Sequence, residues 1–230
     1  MNEKMELLEV ILSDRVFLYS LLHKVFGREP DAALLDILTS KDTADGFALY
    51  SAEEGDPLDL AGRFFDEVRA DCADAAFLDR VKSEYTRFFI GPLDLVAPPW
   101  ESIYRGKAAA LFQESTLEVR NFYRSFHLLP EGYPRVADDS LALELAFMAK
   151  LAERGLNALR SGDTKELSAC MVGSADFLKA HLLVWVPKFF ERMKNAETDY
   201  LYPQMSLLLY SFLLRDAEVL QEDVLPALQG

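Results

Sequence analysis

The sequence predicts an all-α fold, a single helical globule. Three observations carry this. Apolar residues recur at three- and four-residue steps along most of the chain. No segment alternates apolar and polar residues with sustained period two. The breaks in the helical pattern fall at proline, glycine or capping residues. Half of the 230 residues are hydrophobic, enough for one sizeable core. That length fits one domain, or one domain with two lobes.

In chain order, Leu7, Leu8, Ile11, Leu12, Leu18, Leu21, Leu22 and Val25 form one apolar stripe, and Gly27 and Pro30 end that helix. Residues 31–38 predict a short helix. Residues 39–56, rich in Gly, Asp, Ser and Thr, read as a connection with at most a short turn. Pro57 suits a helix start, and Leu60, Phe64, Phe65 and Val68 continue the stripe. Phe77, Val81, Tyr85 and Phe88 give the next apolar face, broken by Gly91-Pro92. From there to Pro99, proline removes donors and fixes φ, so regular helix is excluded. Residues 108–126 predict helix again. Residues 127–137 hold Pro130, Gly132 and Pro134 and predict a loop or hinge.

Asp138, Asp139 or Ser140 can cap the next helix, which carries Leu141, Leu145, Met148, Ala149, Ala152 and Leu156 and ends near Ser161-Gly162. Asp163 or Thr164 starts another. Phe177, Leu178, His181, Leu182, Trp185 and Phe189 share one side of the following helix, with Pro187 inside it as a kink or restart. A last helix covers about 205–216. The expected organisation is an N-terminal lobe over about 1–126, a hinge at 127–137, a C-terminal lobe over 138–216 and a weakly specified tail at 217–230.

The net charge is −14. Phosphates would be repelled, which argues against nucleic acid and anionic membranes and favours a partner that brings positive charge, although solubility alone accounts for it equally well. Cys72 and Cys170 lie far apart without a CxxC and read as free buried thiols of a reducing compartment. The first residues lack the order of a signal peptide, and no stretch reaches the roughly 20 apolar residues of a spanning helix. The expectation is a cytoplasmic protein with no membrane insertion.

The chemistry of an enzyme is hard to find. His23, His127 and His181 have no partners at metal-ligand spacing, so no metal is expected. There is no phosphate-binding GxxxxGK[ST], no GxGxxG after a strand and no GxSxG. The pairs Glu53-Glu54 and Asp138-Asp139 are explained by loop and cap roles.

Three segments carry more information. In Ala97-Pro98-Pro99-Trp100-Glu101-Ser102-Ile103-Tyr104 a stiff proline pair presents two large aromatics with polar handles, and Glu101 adds a carboxylate suited to an arginine. On these residues alone, a loop pinned by a buried Trp explains the segment better than a binding groove. In Asp138-Asp139-Ser140-Leu141-Ala142-Leu143-Glu144, two carboxylates open a helix and Glu144 follows. This suits capping and dipole charge, or an acidic patch for a basic peptide. His181 and Trp185 are four apart and share a helix face, most simply as core residues.

Together, in order and separation, these segments resemble the TorD/DmsD family of redox-enzyme maturation chaperones, to which NarJ is related. The resemblance rests on Tyr85 to Pro92, Pro98 to Tyr104, Glu144 to Met148 and Phe177 to Trp185, and spans roughly residues 7–216. Where the family commonly has Asp-His before the Glu-Leu-x-Phe-Met helix, this chain has Asp138-Asp139. An ionised Asp139 cannot donate as the histidine does. The resemblance implies a non-enzymatic, all-helical chaperone without a cofactor. Its partners would be the twin-arginine leader of a molybdopterin oxidoreductase, DMSO/TMAO reductase-like, and the apo catalytic subunit. Export would be delayed until the cofactor is loaded.

The residues implied in leader binding are Pro98, Pro99, Trp100, Glu101, Ser102, Tyr104, Asp138, Asp139, Leu141, Glu144, His181 and Trp185. Two alternatives stay open: a NarJ-like chaperone for a non-exported subunit, and a nucleotide-binding helical protein. Both a monomer and a domain-swapped dimer are compatible with the 127–137 hinge.

Overall fold

The periodic apolar stripes become helices because only that arrangement puts each stripe on one face. In the computed structural model, residues 3–91, 95–105, 113–130 and 136–229 are described. In chain order they form α1 (Glu3–Gly27), α2 (Ala32–Leu38), α3 (Lys41–Leu49), α4 (Ala61–Asp71), α5 (Phe77–Tyr85), α6 (Glu101–Arg105), α7 (Glu114–Ser125), α8 (Leu141–Ser161), α9 (Thr164–Phe177), α10 (Leu183–Lys194), α11 (Tyr202–Val219) and α12 (Leu225–Gln229). Wider π turns follow α5 at Thr86–Ile90, join α9 to α10 at Leu178–Leu182 and join α11 to α12 at Leu220–Val224. Among the described residues there is no strand, only an isolated bridge between Trp100 and Ser140. The fold is all-α.

Several helix ends follow the expected chemistry. Asp31 caps α2, Ser140 caps α8 and Asp163 caps α9, each accepting from a backbone N–H of the first turn. Gly162, at φ +75°, ends α8 in the left-handed region that glycine tolerates.

Other elements differ from expectation. Residues 41–49 form α3, capped by Ser40, and bury Phe47. Lys41, Asp42 and Asp45 occupy a solvated face and hide the short stripe that buries Thr43 and Phe47. Helix α4 begins at Ala61 and not Pro57, because Asp56 folds residues 52–59 into a turn by accepting from several backbone N–H groups. The helical path reaches Gln229, past the expected end, since Leu220 and Val224 are fully buried. Leu7 falls off its stripe and is exposed, and Cys72 is exposed while Cys170 is buried. Helix α7 covers part of the helix expected at 108–126; residues 106–112 lie outside the described residues. So do residues 131–135 of the expected hinge.

One apolar cluster draws on both the N- and C-terminal halves, and α1 packs along α8 as the most extensive helix pair. His23 of α1 sits 2.7 Å, through Nδ1, from the Ala142 carbonyl, tying α1 to the start of α8. Arg15 and Asp216, both fully buried, lie 3.2 Å apart, and the Tyr19 hydroxyl donates to Asp216 at 2.5 Å. Buried Glu84 accepts from the backbone N–H groups of Tyr200, Leu201 and Tyr202, fixing the start of α11 to α5. The helical run Thr164–Lys194 is, among the described residues, long and apolar enough by composition to cross a membrane. It instead lies against α8 and α11, with Phe177, Trp185 and Phe189 fully buried. Helix continues through Pro187, after the π turn at Leu178–Leu182.

Candidate functional site

The three informative segments meet in space. Residues 98–104 are zipped onto 139–141. The Leu141 N–H donates to the Pro99 carbonyl at 2.9 Å, and the Glu101 N–H donates to the Asp139 carbonyl at 2.9 Å. The prolines prevent helix before Trp100, leaving carbonyls free for this exchange. The Asp139 carboxylate completes the junction. Its Oδ2 accepts from the Ser102 N–H at 2.8 Å and its Oδ1 from the Thr116 hydroxyl at 3.0 Å. An acceptor-only side chain fits this position, where both partners are donors.

The third segment closes the cluster. His181 Nδ1 lies 3.0 Å and 3.2 Å from the two Glu101 oxygens. The Trp185 Nε1–H donates to Glu144 Oε2 at 3.0 Å, and the Tyr104 ring stacks on Trp185 at 5.3 Å. Aromatic rings wall the rest: Phe177 lies 4.7 Å and Phe122 5.9 Å from the His181 ring.

Four carboxyl groups thus converge in a region poor in water. Glu101, Asp138, Asp139 and Glu144 are all fully buried. Burial first, and the neighbouring Glu101 charge second, push the Glu144 carboxyl well above its usual range, so it holds its proton. Glu144 Oε1, the oxygen that Trp185 does not engage, is buried without a hydrogen-bond partner. Burial, followed by the same carboxylates, also raises the Tyr123 phenol well above its ordinary value. The Tyr123 hydroxyl donates to the Asp138 carbonyl at 2.9 Å.

Two arginines pair with two of the other three carboxylates. Arg105 Nη1 pairs with Glu101, lies 3.3 Å from Glu118 and donates to the Ala180 carbonyl. Arg120 grips Asp138 Oδ2 through Nε at 2.9 Å and Nη2 at 2.6 Å. Their side chains are 29% and 18% exposed, while their carboxylate partners are fully buried. Each guanidinium therefore caps a buried anion from the surface.

Of the sequence-derived candidates, Pro98 and Trp100 are half-buried, and Pro99, Glu101, Ser102, Tyr104, Asp138, Asp139, Leu141, Glu144, His181 and Trp185 are buried. All twelve belong to the three joined segments, but the carboxylates do not form an exposed acidic patch. The cap of α8 is Ser140, which leaves Asp138 and Asp139 for Arg120, Ser102 and Thr116. Sequence reasoning missed Arg105, Thr116, Arg120 and Tyr123. Arg105 carried a local signal, four residues after Glu101 on one helix. The others act from α7 across at least 15 positions of sequence. Among the described residues, no group of three or more His, Cys, Asp or Glu is arranged to hold a metal ion.

Residues 58–191, more than half of the chain, match the nitrate reductase delta subunit family. The chain belongs to that family. The chain is 29% identical over 128 residues to the probable Tat proofreading chaperone DmsD of Haemophilus influenzae, covering 56% of each protein. It is 27% identical over 222 residues to the chaperone protein TorD of Shewanella pealeana, covering 91% of each. A Vibrio cholerae chaperone protein TorD is 29% identical over 126 residues, covering 55% of this chain and 56% of that one. The family match and these relatives together support a TorD/DmsD-family chaperone.

Proposed function

We propose that this chaperone binds, in the cytoplasm, the twin-arginine leader of a molybdopterin oxidoreductase of the DMSO/TMAO reductase kind. It then holds the apo catalytic subunit back from export while cofactor is loaded. The observation that carries the reading is the convergence of the Pro-Pro-Trp turn, the Asp-Asp turn and the His181–Trp185 helix on buried carboxylates that already bind guanidinium groups. Half-buried Pro98 and Trp100 supply an apolar rim for the stretch that follows the arginines. Glu101 and Asp138 supply the anions, and buried Ser102, Tyr104, Asp139, Leu141, Glu144, His181 and Trp185 hold that rim and those anions in place.

Calorimetry with a synthetic leader peptide tests this. The Trp100→Ala, Asp138→Asn double variant should bind at least tenfold more weakly than wild type, a loss of about 1.4 kcal/mol or more. Unchanged affinity in that variant would remove the site assignment, and no binding by the wild type to any leader encoded nearby would remove the function. A second reading, as assembly chaperone of a non-exported subunit, is favoured by the family description, nitrate reductase delta subunit. An adjacent gene product without a twin-arginine leader would select it.

A further inference from the structure

Fully buried carboxylates that wait for a cationic ligand face a difficulty in the free protein. An unpaired anion out of water is strongly disfavoured. Glu144 meets the difficulty by keeping its proton, while Glu101 and Asp138 are each covered by a resident guanidinium. The two resident arginines lie at the surface end of each pair, partly in solvent, and both contact α7 or its residues. Arg105 also has a second carboxylate in reach, since half-exposed Glu118 stands 3.3 Å from the same Nη1. Swinging outward would leave Arg105 paired with Glu118, while Glu101 keeps His181 Nδ1 as a partner at 3.0 Å.

Resting on the leader-binding reading above, we infer that Arg105 and Arg120 are intramolecular stand-ins for the two leader arginines, exchanged for them when the leader docks. The exchange replaces guanidinium by guanidinium, so the hydrogen-bond count and charge of each buried carboxylate are conserved. Because of this, the arginine pair contributes selection and little net affinity, and the apolar stretch contributes most of the affinity. A lysine pair is rejected because an ammonium cannot reproduce the paired N–H donors that Arg120 now aims at Asp138. The resident arginines thereby set specificity and hold the free site closed to weaker cations.

The experiment uses the full chain and a synthetic peptide with two adjacent arginines followed by an apolar stretch. Arg105→Gln removes one competitor, and Glu101 keeps His181 as a partner in that variant. The expected result is about tenfold tighter binding of the arginine peptide by Arg105→Gln than by wild type. Unchanged or weaker binding by a variant with wild-type helicity and melting overturns the exchange. A measurement without substitution covers the case in which the variant does not fold. Arginine guanidinium N–H resonances of the wild type should lose their exchange protection at Arg105 and Arg120 on saturation with the peptide. Binding that leaves both resonances unchanged overturns the exchange alone. No binding by either protein overturns the leader reading, and the exchange with it.

Discussion

Replacing Asp139 by alanine removes two buried hydrogen bonds at one atom group. The lost acceptors are Oδ2, 2.8 Å from the Ser102 N–H, and Oδ1, 3.0 Å from the Thr116 hydroxyl. Ser102 is fully buried and Thr116 nearly so, so neither donor reaches water afterwards. Hydrogen bonds to a charged group contribute about 1.5–3 kcal/mol each. Removing one anion from a cluster that also holds Glu101 and Glu144 offsets part of that loss. The expected net cost is about 3 kcal/mol. Asparagine should cost only about 1 kcal/mol. Its amide oxygen accepts from Ser102, and its NH2 donates to Thr116, whose hydroxyl can rotate to accept. Histidine, the residue that the TorD/DmsD resemblance leads one to expect at this position, should cost more than asparagine here. It brings a larger ring into a fully buried site and offers a single acceptor nitrogen. Urea unfolding followed by tryptophan fluorescence reads all three variants, since Trp100 and Trp185, the only tryptophans, both belong to the cluster. An alanine variant within 1 kcal/mol of wild type, or an asparagine variant as unstable as alanine, would refute the clamp role of Asp139 on the order of these estimates.

Glu144 is raised in the folded state, so the native protein binds a proton that the unfolded chain releases above about pH 4.5. Stability therefore falls as pH rises through that window, and Glu144→Gln, which cannot titrate and still accepts from Trp185, should gain on wild type by up to about 1.4 kcal/mol per pH unit; a constant difference from pH 5 to 8 would contradict this. Asp14 is pushed up to about 7 by burial and then by Asp216, so Asp14→Asn should show the same sign between about pH 4 and 7 but level off above. Chemical denaturation across that range separates the two groups, and an Asp14→Asn gain that keeps growing to pH 9 would count against the assignment. Gly173→Ala should destabilise by about 1–3 kcal/mol in a thermal melt, because a Cβ there would stand 2.2 Å from Phe126 Cζ. A wild-type melting temperature in Gly173→Ala would mean that Phe126 moves aside freely.

Much of the architecture was legible as periodicity. The long helices α1, α8 and α9–α10 show because apolar side chains at helical spacing must share a face, and their caps at Ser140, Asp163 and Gly162 show because the unsatisfied backbone groups at helix ends require particular residues. Helix α3 was missed because its polar face outweighs its short apolar stripe, and the turn at 52–59 because Asp56 acts on four nearby backbone groups that no pattern displays. The chain by itself also marked three segments that the fold brings together, Pro-Pro-Trp, Glu-Leu-x-Phe-Met and His-x-x-x-Trp, and their order pointed to the family.

Only the tertiary structure decided what the carboxylates do. Sequence spacing places Asp138 and Asp139 at a helix start, where water and the helix dipole would keep them charged and exposed. Packing of α7 and of the Pro-Pro-Trp turn against that start buries them instead. Once buried, each has to find a cation, a set of donors or a proton. Arg120 provides the first for Asp138, Ser102 and Thr116 the second for Asp139, and Glu144 takes the third. Those partners come from positions whose spacing in the chain carries no sign of their meeting, because desolvation depends on three-dimensional neighbours and not on the local run of residues.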